Sequence, residues 1–379
     1  MPIYKIPGRK KDGLQKYRVV YNYTECGKKR TKERLVYGKA QAELAEAELR
    51  RDKAEPPAKK DEADKRRLTV KALFSVYEAE KGMEIRAATM AKKRSILETH
   101  VFPSIGSVPL SELTEDALTV WRADLGRTDR KANTKNGALR ELKALLNFAA
   151  ERGLMDAAPI RKLKPFRDPY AETSAVKLRY YTKTEFEAFL DQARAEAEKE
   201  DTLRAWGIYV FFMLACYTGM RKGEINAMRW TDIEGDAVWV RRSITQKLKG
   251  EAWTETPPKN QSSVRRLQMP GKLIEALDAQ RKRMETMDGW TENLFVCGGP
   301  KPIPDTVLEN ANKRFGAAAG LKHITIHEFR HSHASVLCNA GINVKEIARR
   351  LGHSDVETTL RTYAHLYPTE EERAVKILE

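Results

Sequence analysis

The sequence predicts a multidomain protein that is mainly α with small β-sheets, an α+β class. The chain has 379 residues, which is enough for two or three domains of roughly 100 to 200 residues each. The 3.6-residue spacing of amphipathic helices occupies most of the chain, whereas the alternation typical of strands is confined to short stretches. Those stretches are residues 15–37, 237–244 and 264–269.

The N-terminal segment predicts a small basic sheet followed by a helix. Apolar and aromatic residues recur at every second position from Tyr17 to Tyr23, and Cys26 and Gly27 supply a turn before the next strand. A hairpin or a three-stranded sheet would satisfy this pattern. Alanine, glutamate, leucine and arginine then predominate to about Lys53, which favours a helix. We expect a domain of residues 1–60, followed by a charged linker at 61–67.

A helical domain is predicted for residues 68–166. Thr69 suits the N-cap of the first of four helices, and the last helix carries an apolar stripe over residues 139–148. Closely spaced prolines then indicate an extended connector at 167–178.

The remaining residues, 179–379, predict helices combined with a short sheet. The longest apolar run is residues 206–217, and a dozen positions are too few for a membrane span, which takes about 20. We therefore expect a buried helix there and no membrane association. The predicted helices of this domain are residues 183–197, 203–217, 271–286, 305–319 and 327–340.

Charge and cysteine content limit the class of partner and the compartment. The formal net charge is +16 and the pI is about 9.5, which predicts a polyanionic partner and favours nucleic acid. Residues 1–39 alone hold 12 Lys or Arg against three acidic residues, so a basic surface is expected there. The four cysteines lie far apart and form no C-x-x-C pair, which fits a reducing cytoplasm and neither a disulfide framework nor a cysteine-based zinc site.

One short string near the C-terminus permits three interpretations. His327-Glu328-Phe329-Arg330-His331 matches H-E-x-x-H, the zinc-protease pattern that places two imidazoles on one face of a helix. Arg330, a permanent cation beside the second supposed ligand, argues against zinc. A phosphate-handling site is the second interpretation, and a plain structural helix is the third.

The order of the motifs favours phosphate chemistry. Arg221 follows a predicted turn at Gly219, although an arginine after a glycine turn is more often an ordinary surface cation. The fuller set in chain order is Arg221 with Glu224, Lys259, His327 with Arg330, His353 and Tyr363. This ordered set resembles the tyrosine recombinases, and among them the phage-type integrases of prophages and integrative conjugative elements.

The resemblance extends upstream of these motifs. Residues 100–114 and 138–159 look like the helical core-binding domain of that family, with the departure that Ala158 stands before Pro159 where asparagine is usual. Residues 1–60 look like the small arm-type DNA-binding domain of integrases. The resemblance therefore implies an arm-type domain, a core-binding domain and a mixed α+β catalytic domain.

The resemblance implies a role for each residue of the set. Tyr363 would be the nucleophile that forms a 3′-phosphotyrosyl bond with DNA, and Tyr367 is the nearest competitor. A phenol with a pKa of about 10 attacks poorly unless cations stabilise it or a base takes its proton. Arg221 and Arg330 would bind the nonbridging oxygens of the phosphate, because planar guanidinium groups can donate paired hydrogen bonds to them.

The remaining roles concern protons and positioning. His327 and His353 would add hydrogen bonds to the phosphate or help to move the proton of the nucleophile, and by resemblance His327 is the better candidate for general base. His353 could instead merely cap a helix at Ser354. Lys259 would protonate the departing 5′-oxygen, and Glu224 would hold a cationic or imidazole partner in place. The basic alternatives to Lys259 are Lys247, Lys249, Arg265 and Arg266. His323, His331 and His333 receive no catalytic role.

Double-stranded DNA is the predicted partner, at both core and arm-type sites. The resemblance implies a homotetramer on DNA, an excisionase, a DNA-bending host factor and no cofactor, neither a metal ion nor ATP. It also implies a C-terminal helix over Thr369–Glu379 that docks on a neighbouring protomer. A binding-only alternative rests on residues 342–363, which are typical of a helix-turn-helix. The predicted DNA contacts are Arg18, Arg30, Lys32, Lys92, Lys93, Lys247 and Arg265.

Overall fold

The structure is a computed structural model that describes residues 3–11, 13–25, 28–54, 68–167, 178–246, 252–258, 261–367 and 378. Backbone contacts divide the chain into two compact units. The first comprises Met1–Ile85 and Lys92–Arg167, and the second comprises Arg86–Ala91 and Asp168–Glu379. The structure is mostly helical with small antiparallel sheets, so the predicted fold class is confirmed.

The first unit begins with a three-stranded antiparallel sheet in the order β1 (Ile3–Lys11), β2 (Leu14–Glu25) and β3 (Lys28–Tyr37). The predicted strands at 15–37 correspond to β2 and β3, while β1 lies before the predicted range. Val19 on β2 is buried against the helix that follows, because alternate residues of a strand point to the same face. This helix is α1 (Lys39–Ala54), which comes directly after the sheet.

Four longer helices and two single-turn helices follow within the described residues 68–167. Thr69 caps the first of them by accepting the backbone N–H of Ala72 at 3.2 Å, as the sequence predicted. The predicted apolar stripe is buried, and it includes Leu139, Leu142 and Leu146. The helices are α2 (Val70–Lys81), α3 (Ala87–His100), α4 (Phe102–Ile105), α5 (Glu115–Arg127), α6 (Ala132–Glu151) and α7 (Ala158–Arg161).

The second unit is built around the buried helix α9 (Leu203–Thr218), which is enclosed almost throughout its length. It corresponds to the apolar run at 206–217. Within the described ranges, no helix combines the length and the apolar character that crossing a membrane requires. The helices of this unit are α8 (Lys183–Glu200), α9 (Leu203–Thr218), α10 (Lys222–Asn226), α11 (Gly271–Glu285), α12 (Asp305–Ala318), α13 (Glu328–Asn339), α14 (Val344–Leu351) and α15 (Val356–Tyr363).

Two small sheets accompany these helices. The predicted single strand at 237–244 is interrupted at residues 241–242, so its two halves belong to different sheets. One sheet has the order β4-β5-β8 and the other consists of β6 and β7. The strands are β4 (Ile233–Glu234), β5 (Ala237–Val240), β6 (Ser243–Thr245), β7 (Thr254–Thr256) and β8 (Arg265–Gln268).

Candidate active site

Arg221 stands at the start of α10, directly after the turn that ends the buried helix α9. Gly219 makes this turn with a φ of +65°, a backbone conformation that residues with a side chain rarely adopt. A methyl group on Gly219 would lie 2.7 Å from Cδ2 of His333, so the site also requires the absence of a side chain. The Arg221 side chain is 40% exposed. The turn thus presents a partly accessible guanidinium on a rigid base, as the sequence indicated.

Glu224, one turn further along α10, binds two arginines from the interior. Its carboxylate accepts the backbone N–H of Arg221 and a guanidinium N–H of the same residue, each at 2.9 Å. It also accepts from Arg265 at 2.9 and 3.3 Å. Burial by itself would raise the pKa of Glu224, but Arg265 and then Arg221 outweigh it and hold the pKa below its ordinary value. Glu224 is thus an anion that orients Arg221, the contact expected of a residue that holds a cation in place.

Arg265 occupies a different place from the exposed DNA contact that the sequence suggested. Its side chain is only 3% exposed. Besides Glu224, the guanidinium binds the backbone oxygens of Arg350 at 2.7 Å and Ser263 at 3.1 Å. Arg265 lies on the buried face of β8, where it alternates with outward-facing neighbours. We therefore correct its assignment from a phosphate contact to an internal link between α10, β8 and the end of α14.

Arg330 joins the two turns that carry Arg221 and His353. It lies on α13, is 3% exposed, and donates to the backbone oxygens of Gly219 at 2.9 Å and Leu351 at 2.6 Å. Burial, followed by the charges of Arg221 and Arg265, lowers the pKa of Arg330 to about 9. The guanidinium is still a cation at neutral pH.

His353 follows the left-handed turn at Gly352 and points to the tyrosine helix α15. Its Nδ1 lies 2.8 Å from Oγ1 of Thr359. Burial, then Arg330, Arg221 and Arg265, lower its pKa to about 4, so the ring is neutral at pH 7. The alternative role of helix cap belongs to Asp355, which accepts the N–H of Glu357 at 2.9 Å.

Tyr363 is buried near the end of α15, with 2% of its surface exposed. Its hydroxyl lies 2.6 Å from Nδ1 of His331 on α13. Burial raises the pKa of Tyr363 to about 12, against the opposing charge of Arg330. Its competitor Tyr367 uses its hydroxyl to donate to the backbone oxygen of Ile342 at 2.9 Å.

The contact between His331 and Tyr363 is the feature that the sequence interpretation missed. His327 precedes α13 at its N-cap, and its ring meets His331 edge to face with centroids 5.4 Å apart. Burial, then Arg330 and Arg221, lower the pKa of His327. The i, i+4 spacing of the two histidines was the available signal, because residues at that spacing share a helix face.

His333, which received no catalytic role from the sequence, is bound to the backbone. Its Nδ1 binds the carbonyl oxygen of Cys216 at 2.9 Å, and burial, followed by the charge of Arg350, lowers its pKa to about 3. In the parts of the chain that the structure describes, there is no group of three or more His, Cys, Asp or Glu side chains placed to hold a metal ion.

The other predicted site residues divide into exposed, paired and undescribed. Lys32 and Lys92 are exposed, and Arg18 is exposed with Glu33 at 3.8 Å. Lys93 is instead ion-paired with Glu141 at 2.7 Å, which leaves its ammonium less available to DNA than predicted. The predicted catalytic Lys259, the predicted contact Lys247, the side chain of Arg30 and, apart from Leu378, the predicted C-terminal helix lie outside the described residues.

Family models and relatives agree with this geometry. Residues 179–370, half of the chain, match the phage integrase family, and residues 69–126 match the phage integrase N-terminal SAM-like domain. The chain belongs to the phage integrase family. It is a tyrosine site-specific recombinase of the integrase type, so the zinc-protease and regulator-only interpretations of the sequence are wrong.

The similar proteins come from several mobile elements. The ICEBs1 integrase of Bacillus subtilis is 25% identical over 342 residues, covering 88% of each chain. The prophage integrase IntR of Escherichia coli is 27% identical over 329 residues, covering 77% of this chain and 74% of IntR. Two solved structures share the fold of this integrase. The Tn1549 transposon integrase with a circular intermediate DNA gives a TM-score of 0.64 at 19% identity, covering 82% of this chain and 98% of that chain. A lambda integrase dimer on a COC′ core site gives 0.55 at 18%, covering 95% and 93%.

Proposed function

We propose that Tyr363 of this integrase attacks a DNA phosphodiester and forms a 3′-phosphotyrosyl intermediate, which is resolved by rejoining. The observation that carries the assignment is a network of groups from distant stretches of chain. Arg330 binds both the Gly219 turn and the Leu351 turn, and its charge acts on both Tyr363 and His353. Cations, imidazoles and a phenol are thus held around one region of the second unit.

Each group has a chemical task in this proposal. Arg221 and Arg330 bind the nonbridging oxygens, on which negative charge grows as the phosphorane forms, and removal of one such donor costs on the order of a hundredfold to a thousandfold in rate. Neutral His353 and His327 donate further hydrogen bonds to the phosphate. Lys259 is proposed to protonate the departing 5′-oxygen. The bond energy is kept in the phosphotyrosyl link, so the proposed reaction uses neither ATP nor a metal ion.

The proposed substrate is double-stranded DNA. Support comes from the net charge of +16 and from the two structural neighbours, which were solved with DNA. Phosphate contacts by Lys and Arg would supply most of the affinity. We assign residues 68–166 to core-site binding, 179–379 to catalysis, and 1–60, with Arg18, Arg30 and Lys32, to arm-type sites.

The proposed assembly is a homotetramer that acts on two duplexes. An excisionase and a DNA-bending host factor are proposed as accessory partners, and a C-terminal helix over Thr369–Glu379 is proposed to dock on a neighbouring protomer. We place the reaction in the cytoplasm, because Cys216, Cys297 and Cys338 are buried free thiols.

Covalent trapping tests the nucleophile. The integrase is incubated with a nicked suicide substrate that carries its attachment site, and protein joined to DNA is detected under denaturing conditions. Tyr363→Phe should abolish the covalent product, because it removes the attacking oxygen. Tyr367→Phe is the matched control, since its hydroxyl is bound to a backbone oxygen, and it should leave the product in place. Attachment by Tyr363→Phe would disprove the assignment.

A further inference from the structure

The imidazole of His331 is the group in contact with the Tyr363 hydroxyl. Its Nδ1 lies 2.6 Å from that oxygen, across the packing of α13 against α15, and the ring centroids are 5.7 Å apart. We propose that His331, rather than His327, is the catalytic base that takes the proton of Tyr363 during attack. This inference rests on the proposed function and deepens it.

The position of His327 supports this division of labour. Its ring lies beside His331, edge to face, so that His331 is the imidazole placed against the phenol. His327 is at the beginning of α13, three residues from Arg330. It is therefore suited to the phosphate that the two arginines bind, and the two histidines serve different atoms of the reaction.

The protonation states fit a base. The groups that act on His331 are His327, Glu328 and Arg330 on its own segment, with Tyr363 and His353 from neighbouring elements. Burial, followed by His327, lowers the pKa of His331, so a lone pair is available at neutral pH. The pKa of Tyr363 is raised to about 12, so the phenol retains its proton until an acceptor removes it. When the N–H proton of the neutral His331 ring is on Nε2, Nδ1 is that acceptor.

The same proton moves in opposite directions during cleavage and rejoining. The Tyr363 proton moves to Nδ1 of His331 while the phenolic oxygen bonds to phosphorus. The bond from phosphorus to the 5′-oxygen breaks, and the leaving oxygen takes a proton from the general acid, assigned above to Lys259. On rejoining, a 5′-hydroxyl attacks phosphorus, the phenolic oxygen departs, and the His331 imidazolium returns the proton to it.

Single-turnover cleavage of the suicide substrate tests the proposal. His331→Ala should cleave about a hundredfold more slowly or worse, the usual contribution of a general base. Added imidazole should restore part of the rate by filling the space that the substitution leaves. His323→Ala removes an exposed imidazole and is the control, with cleavage at the wild-type rate. Cleavage by His331→Ala at that rate, or a slow rate that imidazole does not raise, would overturn the inference.

A second measurement separates a base from a structural contact. A fluorinated tyrosine at position 363 has a more acidic phenol and depends less on a base. It should therefore reduce the difference in cleavage rate between the His331 variant and the parent. An unchanged difference would refute proton transfer to His331. If His331→Ala fails to show a melting transition, His331→Gln replaces it in this comparison. Covalent attachment by Tyr363→Phe would instead disprove the proposed function, regardless of the cleavage rates of the His331 variants.

Discussion

Loss of the buried guanidinium of Arg265 should destabilise the second unit. Arg265→Gln removes hydrogen bonds to Glu224 at 2.9 and 3.3 Å, to the Arg350 oxygen at 2.7 Å and to the Ser263 oxygen at 3.1 Å. Removing one partner of a buried ion pair costs about 3 to 5 kcal/mol. Glu224 keeps its contacts with Arg221, so we expect the lower end, about 3 kcal/mol.

Thermal and urea unfolding measure this loss. For a unit of roughly 150 to 250 residues, about 3 kcal/mol corresponds to a Tm lowered by roughly 6 to 12 °C. Arg266→Gln is the matched control, since this neighbour on the same strand is 47% exposed and lies 3.5 Å from Asp236. Its effect should stay within about 0.5 kcal/mol. In a double-mutant cycle, the variant with both Glu224→Gln and Arg265→Gln should lose less stability than the sum of the losses of the two single variants.

DNA binding decides between the internal link and a phosphate contact. Below the melting transition, Arg265→Gln should keep the wild-type salt dependence of DNA affinity, because the guanidinium is already bound to the Glu224 carboxylate and to the backbone oxygens of Arg350 and Ser263. A residue that neutralises a phosphate would instead reduce the slope of log K against log salt by about 1. A reduced slope, or a stability loss no larger than that of Arg266→Gln, would refute the reasoning.

Two further predictions concern the turn beneath Arg221 and the buried His333. Gly219→Ala should lose more stability than Gly235→Ala in urea titrations. Both glycines have φ near +60°, a conformation that costs a residue with a side chain about 1 to 2 kcal/mol. An added methyl group at Gly219 would also lie 2.7 Å from Cδ2 of His333, whereas no atom obstructs it at Gly235. Equal losses of stability would contradict this prediction. The pKa of His333 is lowered from 6.5 to about 3 in the folded protein, so below pH 6.5 the unfolded chain binds a proton that the folded chain does not. The contribution of neutral His333 to stability is therefore complete above pH 6.5 and decreases as the pH falls towards 3. The free energy of unfolding should fall by about 2 kcal/mol from pH 7.5 to pH 5 on this account. His333→Phe should lack that component, and an identical pH slope in both proteins would disprove it.

Local pattern was sufficient for the five helices predicted between residues 183 and 340 and for the order of the motifs. The helix predicted at 183–197 is Lys183–Glu200, and the one predicted at 305–319 is Asp305–Ala318. Helical periodicity and caps act over a few residues, so the sequence records them directly. The strand break at 241–242 escaped prediction because alternation continues through it while the pairing partner changes.

By itself, the sequence determined the integrase type, the helical architecture and the candidate residues from Arg221 to Tyr363. Only the tertiary structure decided which of them touch. Arg265 reaches Glu224 across 41 residues, His331 reaches Tyr363 across 32, and Arg330 reaches Gly219 across 111. Neither burial of a charge nor the partner of an imidazole is encoded in local spacing, because both depend on how separate helices and strands pack in the folded chain.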